Sequence, residues 1–153
     1  MAKGAQDWVA RTDLLLQTLS ELIVRYKYGA CQTYQGSGPL WADTTYTLLS
    51  VSGKGIIYGG CLHTDGSSGS ELDGIYLELD GVETYAQSIA NLFAYAVFNT
   101  TQRPVYITKY DMVDYDFGVG IMPGITFETS FKLKYAVAGA SISLFRELYY
   151  ATI

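Results

Sequence analysis

Between Ala5 and Tyr28 the chain carries neither Gly nor Pro, and its apolar residues recur at helical spacing. Val9, Leu16 and Ile23 fall seven apart, and Leu19 and Tyr26 follow Leu16 and Ile23 by three. This predicts a helix with an apolar stripe, widened by Leu14, Leu15 and Leu22 and stopped by Gly29. Two packings satisfy such a stripe. The helix lies against its own domain, or it bundles with copies of itself. The stripe is too short for an independent coiled coil, so a bundle would need support from the rest of the chain.

After Gly29 the period falls to two. Gly36-Ser37-Gly38-Pro39 reads as a loop. Residues 41–52, rich in Thr, Tyr and Val, read as a strand, Gly53-Lys54-Gly55 as a tight turn and 56–63 as a second strand, together a hairpin. Gly59-Gly60 suggests a bulge. Residues 64–70 form a polar loop. In 74–80, Ile75, Leu77 and Leu79 alternate with Tyr76, Glu78 and Asp80, a half-buried strand that ends in the Asp80-Gly81 turn. A short helix is expected around 86–95, from Ile89, Leu92, Phe93 and the alanines. Further strands are expected at 104–110, 114–120, 125–135 and 140–153. In 125–135, Ile125, Phe127, Thr129, Phe131, Leu133 and Tyr135 share one face. Helix first and strands afterwards argues against βαβ units. The expected fold is mainly β, an antiparallel, jelly-roll-like β-sandwich over 31–153, with residues 1–30 as a helical segment that packs on it or on neighbouring subunits.

Composition fits this reading. The 153 residues are 49% hydrophobic and 16% charged, too apolar for a disordered chain. A net charge of −5 leaves no general basic footprint for nucleic acid, and no apolar run is long enough for a membrane span. No secretion signal is visible at the N-terminus, so synthesis in a cytoplasm is expected. One His and two Cys restrict both metal sites and catalysis.

Each chemical candidate has a plainer reading beside it. His63 is the sole imidazole, and no G-x-S-x-G elbow accompanies it, so an ordinary strand-end histidine is expected. Cys31 and Cys61 lack zinc spacing; free thiols are expected, with a late disulfide as the alternative. Glu71, Asp73, Glu78, Asp80 and Glu83 form an acidic stretch. Acid/base work or calcium would use such a set, but a solvated face explains it. Asp111, Asp114 and Asp116 lack EF-hand spacing and read as turn carboxylates. Gly53-Lys54-Gly55 is no phosphate loop, because it joins two strands. Lys109, Lys132 and Lys134 would make a small basic patch or protect an edge strand. Asn99-Thr100-Thr101 is a glycosylation sequon without a secretion signal. No cofactor, metal or catalytic residue is expected, and no enzyme.

The 14 tyrosines need an account. A core prefers aliphatic residues and Phe, because a buried hydroxyl needs a partner; Tyr suits surfaces that are apolar and wet at once, such as protein interfaces and sugar platforms. The apolar C-terminal end, Leu148 to Ile153, needs somewhere to dock. These features make Trp8, Leu16, Leu19, Ile23, Tyr149, Tyr150 and Ile153 candidate assembly contacts. The alternative is a carbohydrate-binding or host-recognition sandwich stacking glycan on Trp41, Tyr46, Tyr58 and Tyr76, with loop 64–73 supplying carboxylates. A hydrolase using Glu78 and Asp80 is a third reading.

Over roughly residues 46–135 the chain resembles small β-rich structural proteins of tailed bacteriophage particles. The matching positions are Gly53, Lys54 and Gly55, then Asp80-Gly81, then Gly124, Ile125, Phe127, Ser130 and Leu133. The resemblance implies a virion component such as a tail, neck, collar, fibre or head-decoration (capsid) subunit. Its partners would be copies of itself and other virion structural proteins, with no catalytic residues. The N-terminal helix lies outside the resemblance.

Overall fold

A computed structural model describes residues 29–65, 68–98 and 103–153. The expected N-terminal helix, with Trp8, Leu16, Leu19 and Ile23, lies outside the described residues. The strands are β1 (Gln32–Leu40), β2 (Thr44–Ser52), β3 (Gly55–Asp65), β4 (Gly74–Leu79), β5 (Val82–Ser88), β6 (Val105–Asp111), β7 (Asp116–Ile121), β8 (Ile125–Phe127), β9 (Ser130–Val137) and β10 (Ile142–Thr152). A 3-10 turn spans Ser70–Leu72 and a helix, α1, spans Ile89–Ala94.

The strands form two antiparallel sheets. The first has the order β1-β10-β3-β7-β6, with β8 also paired to β3; the second has the order β2-β9-β4-β5. Alternation explains why the sheets pack face to face. Phe131, Leu133, Tyr135 and Val137 of β9 point inward with Ile75 and Leu77 of β4. Opposite them lie Ile57 and Leu62 of β3, Leu144 and Leu148 of β10, and Phe117, Val119 and Ile121 of β7. Each such side chain taken from water contributes about 1.5–3 kcal/mol, so the interior between the sheets holds the fold.

Pairing corrects several expectations. Residues 36–39 belong to β1, where every residue from Gln32 to Leu40 pairs with β10. Local turn chemistry yields here to long-range pairing: Gly36 leaves room for the Arg146 guanidinium, and Pro39 is tolerated on an edge strand. The strands on either side of Gly53-Lys54 are no hairpin. β2 pairs β9 in one sheet and β3 pairs β10, β7 and β8 in the other, so this corner carries the chain across the sandwich. The expected continuous strand 125–135 breaks at Glu128-Thr129 and also changes sheets, with β8 on β3 and β9 between β2 and β4. Thr129 is exposed at the break, while the other inward residues of the run stay buried. The helix around 86–95 is shorter than expected. Residues 86–88 belong to β5, and Ser88 caps α1 by accepting a hydrogen bond from the Asn91 amide at 3.2 Å. The bulge expected at Gly59-Gly60 is present: the β3–β10 register shifts where Tyr149 pairs Gly59 and Tyr150 pairs Ile57.

Candidate functional site

One end of the sandwich gathers two of the sheet-crossing corners, Gly53-Lys54 and Glu128-Thr129, with the β4–β5 turn and the C-terminus. Asp80 and Gly81 adopt left-handed backbone (φ 53° and 80°), closing β4 onto β5. The turn aims the Asp80 carboxylate at the 128–130 crossing. There it accepts hydrogen bonds from the backbone amides of Glu128 (2.9 Å), Thr129 (2.6 Å) and Ser130 (3.1 Å) and from the Thr129 hydroxyl (3.1 Å). These donors hold the carboxyl below its ordinary range. The Gly53 amide donates to the Thr129 carbonyl at 2.8 Å, and Lys54 Nζ pairs the Glu128 carboxylate at 2.7 Å. The Lys54 carbonyl accepts from the Ile153 amide at 2.9 Å. Replacing Asp80 with Ala is expected to loosen this end: amides 128–130 should lose protection from hydrogen exchange while those of β3 and β10 keep theirs.

Gly29 and the C-terminus meet at this end. A Cβ at Gly29 would lie 2.5 Å from the Thr152 carbonyl oxygen, so Gly29 lies against the end of β10. Ile153 is 62% exposed. Tyr149 is exposed on the outer face of the first sheet, beside the bulge that also exposes Tyr58. Its hydroxyl donates to the Glu147 carboxylate at 2.6 Å, which raises the phenol's pKa. Tyr150 turns the other way and packs against the core. Of the C-terminal candidates, Tyr149 and Ile153 are therefore accessible and Tyr150 is mostly structural. Phe145, two positions along the same outer face of β10 from Glu147, is exposed as well. It was absent from the sequence candidates, although the alternation Ser143, Phe145, Glu147, Tyr149 signals it.

The four aromatic residues of the sugar-platform reading do not share one surface. Trp41, 66% exposed, sits at the β1–β2 corner, where its amide donates to the Tyr46 hydroxyl at 2.8 Å. Tyr46 packs its ring on the core. Tyr58 lies at the other end of the first sheet, and Tyr76 on the outer face of the second, opposite Lys134.

The polar candidates are tied into the fold. Glu78 is nearly buried across the sheet from β9, with Lys132 and Lys134 each 2.6 Å from one of its oxygens; both cations lower its pKa. The expected solvated carboxylate and open basic patch are thus one ion triplet. Lys109 pairs with Asp116, whose other oxygen lies 2.6 Å from His63 Nε2. Asp116 is held below its ordinary range by Lys109 first and His63 second. Asp111 accepts from the amides of Val113 (2.9 Å) and Asp114 (3.2 Å), a turn carboxylate as expected. Among the described residues no group of His, Cys, Asp and Glu is placed to hold a metal ion. Cys31 and Cys61 are free thiols; burial, with Glu147 nearby, raises the pKa of Cys61. No helix among the described residues is long and apolar enough to cross a membrane.

The described residues thus define a two-sheet antiparallel β-sandwich with accessible aromatic residues on the first sheet's outer face, toward the end where Gly29 meets the C-terminus. No family model and no curated protein matches the chain. Among solved structures the chain is similar to VP2 of infectious bursal disease virus in its subviral particle, at 14% identity and a TM-score of 0.41. The likeness covers 82% of this chain and 33% of that one, so the chain spans about a third of that protein's length.

Proposed function

We propose that this chain is a non-enzymatic, self-assembling structural subunit of a virion, and that the particle is a phage. The observation that carries the reading is the convergence of Gly29, Thr152 and Ile153 at one end of the sandwich. It places Ile153 beside Gly29, the residue that follows the apolar stripe in sequence, with Tyr149 and Tyr58 on the adjoining face, so one region offers contacts for neighbouring subunits. The strand order supports the same reading. With β6 and β8 set aside, the remaining eight strands, numbered in sequence order, run 1-8-3-6 in one sheet and 2-7-4-5 in the other. That is the order of a jelly roll, an architecture used by viral capsid domains and also by lectins. Because fold alone does not decide function, the surface carries the argument.

Analytical ultracentrifugation of the full chain tests it. The wild-type chain is expected to sediment as a defined oligomer. Leu16→Asp with Ile23→Asp, or Tyr149→Ala with Ile153→Ser, should shift it toward monomer while circular dichroism keeps the β signature. A wild-type chain that remains monomeric overturns the reading. The exposed Trp41 keeps glycan binding as a second reading; a glycan-array signal abolished by Trp41→Ala would favour it.

A further inference from the structure

Besides the three-residue β8, which pairs only β3, the sandwich has four sheet edges among the described residues, and they are not alike. Three carry an extra residue in the edge strand itself. In β2, Thr47 pairs Lys134 and Leu49 pairs Leu133, so Leu48 is the insertion. In β5, Tyr85 pairs Leu77 and Glu83 pairs Glu78, so Thr84 is the insertion. In β6, Ile107 pairs Val119 and Lys109 pairs Gly118, so Thr108 is the insertion. Bulges of this kind twist an edge away from further pairing, and charges such as Glu83 and Lys109 discourage it again. β6 is also covered, because the Ile107 amide donates to the Val97 carbonyl and Phe98 bridges Ile107.

β1 has none of these protections. Its register with β10 runs unbroken over nine residues, and it carries no charged side chain. Among the described residues no strand lies on its far side. It is held firmly from within: Arg146 Nε donates to the Tyr34 hydroxyl at 3.1 Å and lies over the Tyr34 ring. A strand ordered in advance presents its free amides and carbonyls with little further entropy to lose. One strand inward, on the outer face, lie the exposed Phe145 and Tyr149, opposite Ser37 and Thr33.

We infer that β1 is an assembly seam, pairing antiparallel with β1 of a second copy so that two first sheets become one continuous sheet about a two-fold axis. The inference rests on the self-assembly reading and specifies its contact. A second copy fits because the chain has a net charge of −5 and its copies repel in general, whereas β1 sets no charge opposite itself. A two-fold seam needs only a self-complementary strand. Pro39, which lacks an amide hydrogen, bounds the usable stretch to 32–38, whose midpoint is Gln35. Gln35 then faces Gln35 of the second copy, Thr33 faces Ser37, and Tyr34 faces Gly36.

Cysteine pairing and charge swaps test the seam in the full chain. With Cys31→Ser and Cys61→Ser as background, Gln35→Cys should oxidise to a chain-to-chain disulfide. Thr33→Cys should not cross-link alone, and should do so when mixed with Ser37→Cys. Thr33→Lys with Ser37→Lys places like charges opposite each other twice and should weaken association about tenfold in sedimentation. Thr33→Lys with Ser37→Glu should restore it, which also shows that these exposed positions tolerate charge. An oligomer that persists with unchanged affinity in the Lys/Lys chain, or that gives no Gln35→Cys link, overturns the seam and leaves self-assembly standing. A wild-type chain that is monomeric by itself, as it would be if another protein's strand used this edge, overturns both.

Discussion

Replacing Asp73 with Ala should cost about 2–4 kcal/mol in urea denaturation, because it strands the buried Tyr135 hydroxyl and the Ala138 amide without an acceptor. Asp73 is fully buried beneath the 3-10 turn. It accepts from Tyr135 and from Ala138, each at 2.9 Å, and its own carbonyl accepts from the Ile89 amide at the start of α1. A loss of this size is a large share of the ~5–15 kcal/mol that typically holds a domain folded. The same burial pushes the Asp73 carboxyl up to about 6; the Ala138 and Tyr135 bonds work against burial, and Glu71 adds to it. A carboxyl raised in the native state binds its proton more tightly there than in the unfolded chain. Its contribution to stability is therefore complete below the unfolded value of ~3.9 and is lost as pH rises through about 6. The gap corresponds to about 3 kcal/mol. Asp73→Asn keeps an acceptor for the Ala138 amide and a donor for the Tyr135 oxygen. The difference in stability between wild type and this variant should change between pH 4 and 6 and flatten above. Glu78, Asp80 and Asp116 have lowered values and the opposite sign: their stabilisation is present above the ordinary carboxylate range and lost as pH falls below it. An unchanged difference across pH 4–6 would rule out Asp73 as the titrating group.

Gly55→Ala should destabilise the fold by about 3 kcal/mol, although Ala is intrinsically favoured over Gly inside a strand by about 0.5–1 kcal/mol. The sign is set by space. A Cβ at Gly55 would collide with the Ala151 backbone carbonyl and with the Phe127 ring, at the point where β3 is flanked by β10 on one side and β8 on the other. The carbonyl belongs to the β3–β10 ladder and Phe127 is fully buried, so neither can move away cheaply. Gly124→Ala is a useful contrast: no atom would meet its Cβ, but its φ of 89° is unfavourable for Ala, so its cost is conformational only. Thermal unfolding should place Gly55→Ala well below Gly124→Ala; equal midpoints would contradict the packing at the corner.

What could be read from the sequence follows the range of the signal. Alternation in 125–135 put Ile125, Phe127, Thr129, Phe131, Leu133 and Tyr135 on one face, and all but Thr129 are buried. Alternation does not say which strand lies alongside, so the change of sheet at Glu128-Thr129 and the crossing at Gly53-Lys54 were invisible to it. β1 was missed because Gly36, Gly38 and Pro39 carry strong local turn preferences, which pairing with β10 overrides. Lys132 and Lys134 were placed correctly on one outer face, but their link to Glu78 depends on β4 and β9 being neighbours. Asp80 was legible as a turn residue and illegible as an anchor, because its acceptors' partners lie about fifty positions away at 128–130. The surface candidates fared likewise: composition flagged Tyr149 and Ile153, and only pairing distinguished them from the packed Tyr150.

Two of the places where the chain passes between layers are fastened to each other, through the Gly53 amide on Thr129 and Lys54 on Glu128. These two stitches share a single hem. Pulling either layer loose strains both stitches and wets the apolar side of the layer left behind, so neither sheet has a stable existence by itself. Melting should accordingly proceed in one step, and a protease that cuts at this hem should release the whole domain to digestion rather than trim it.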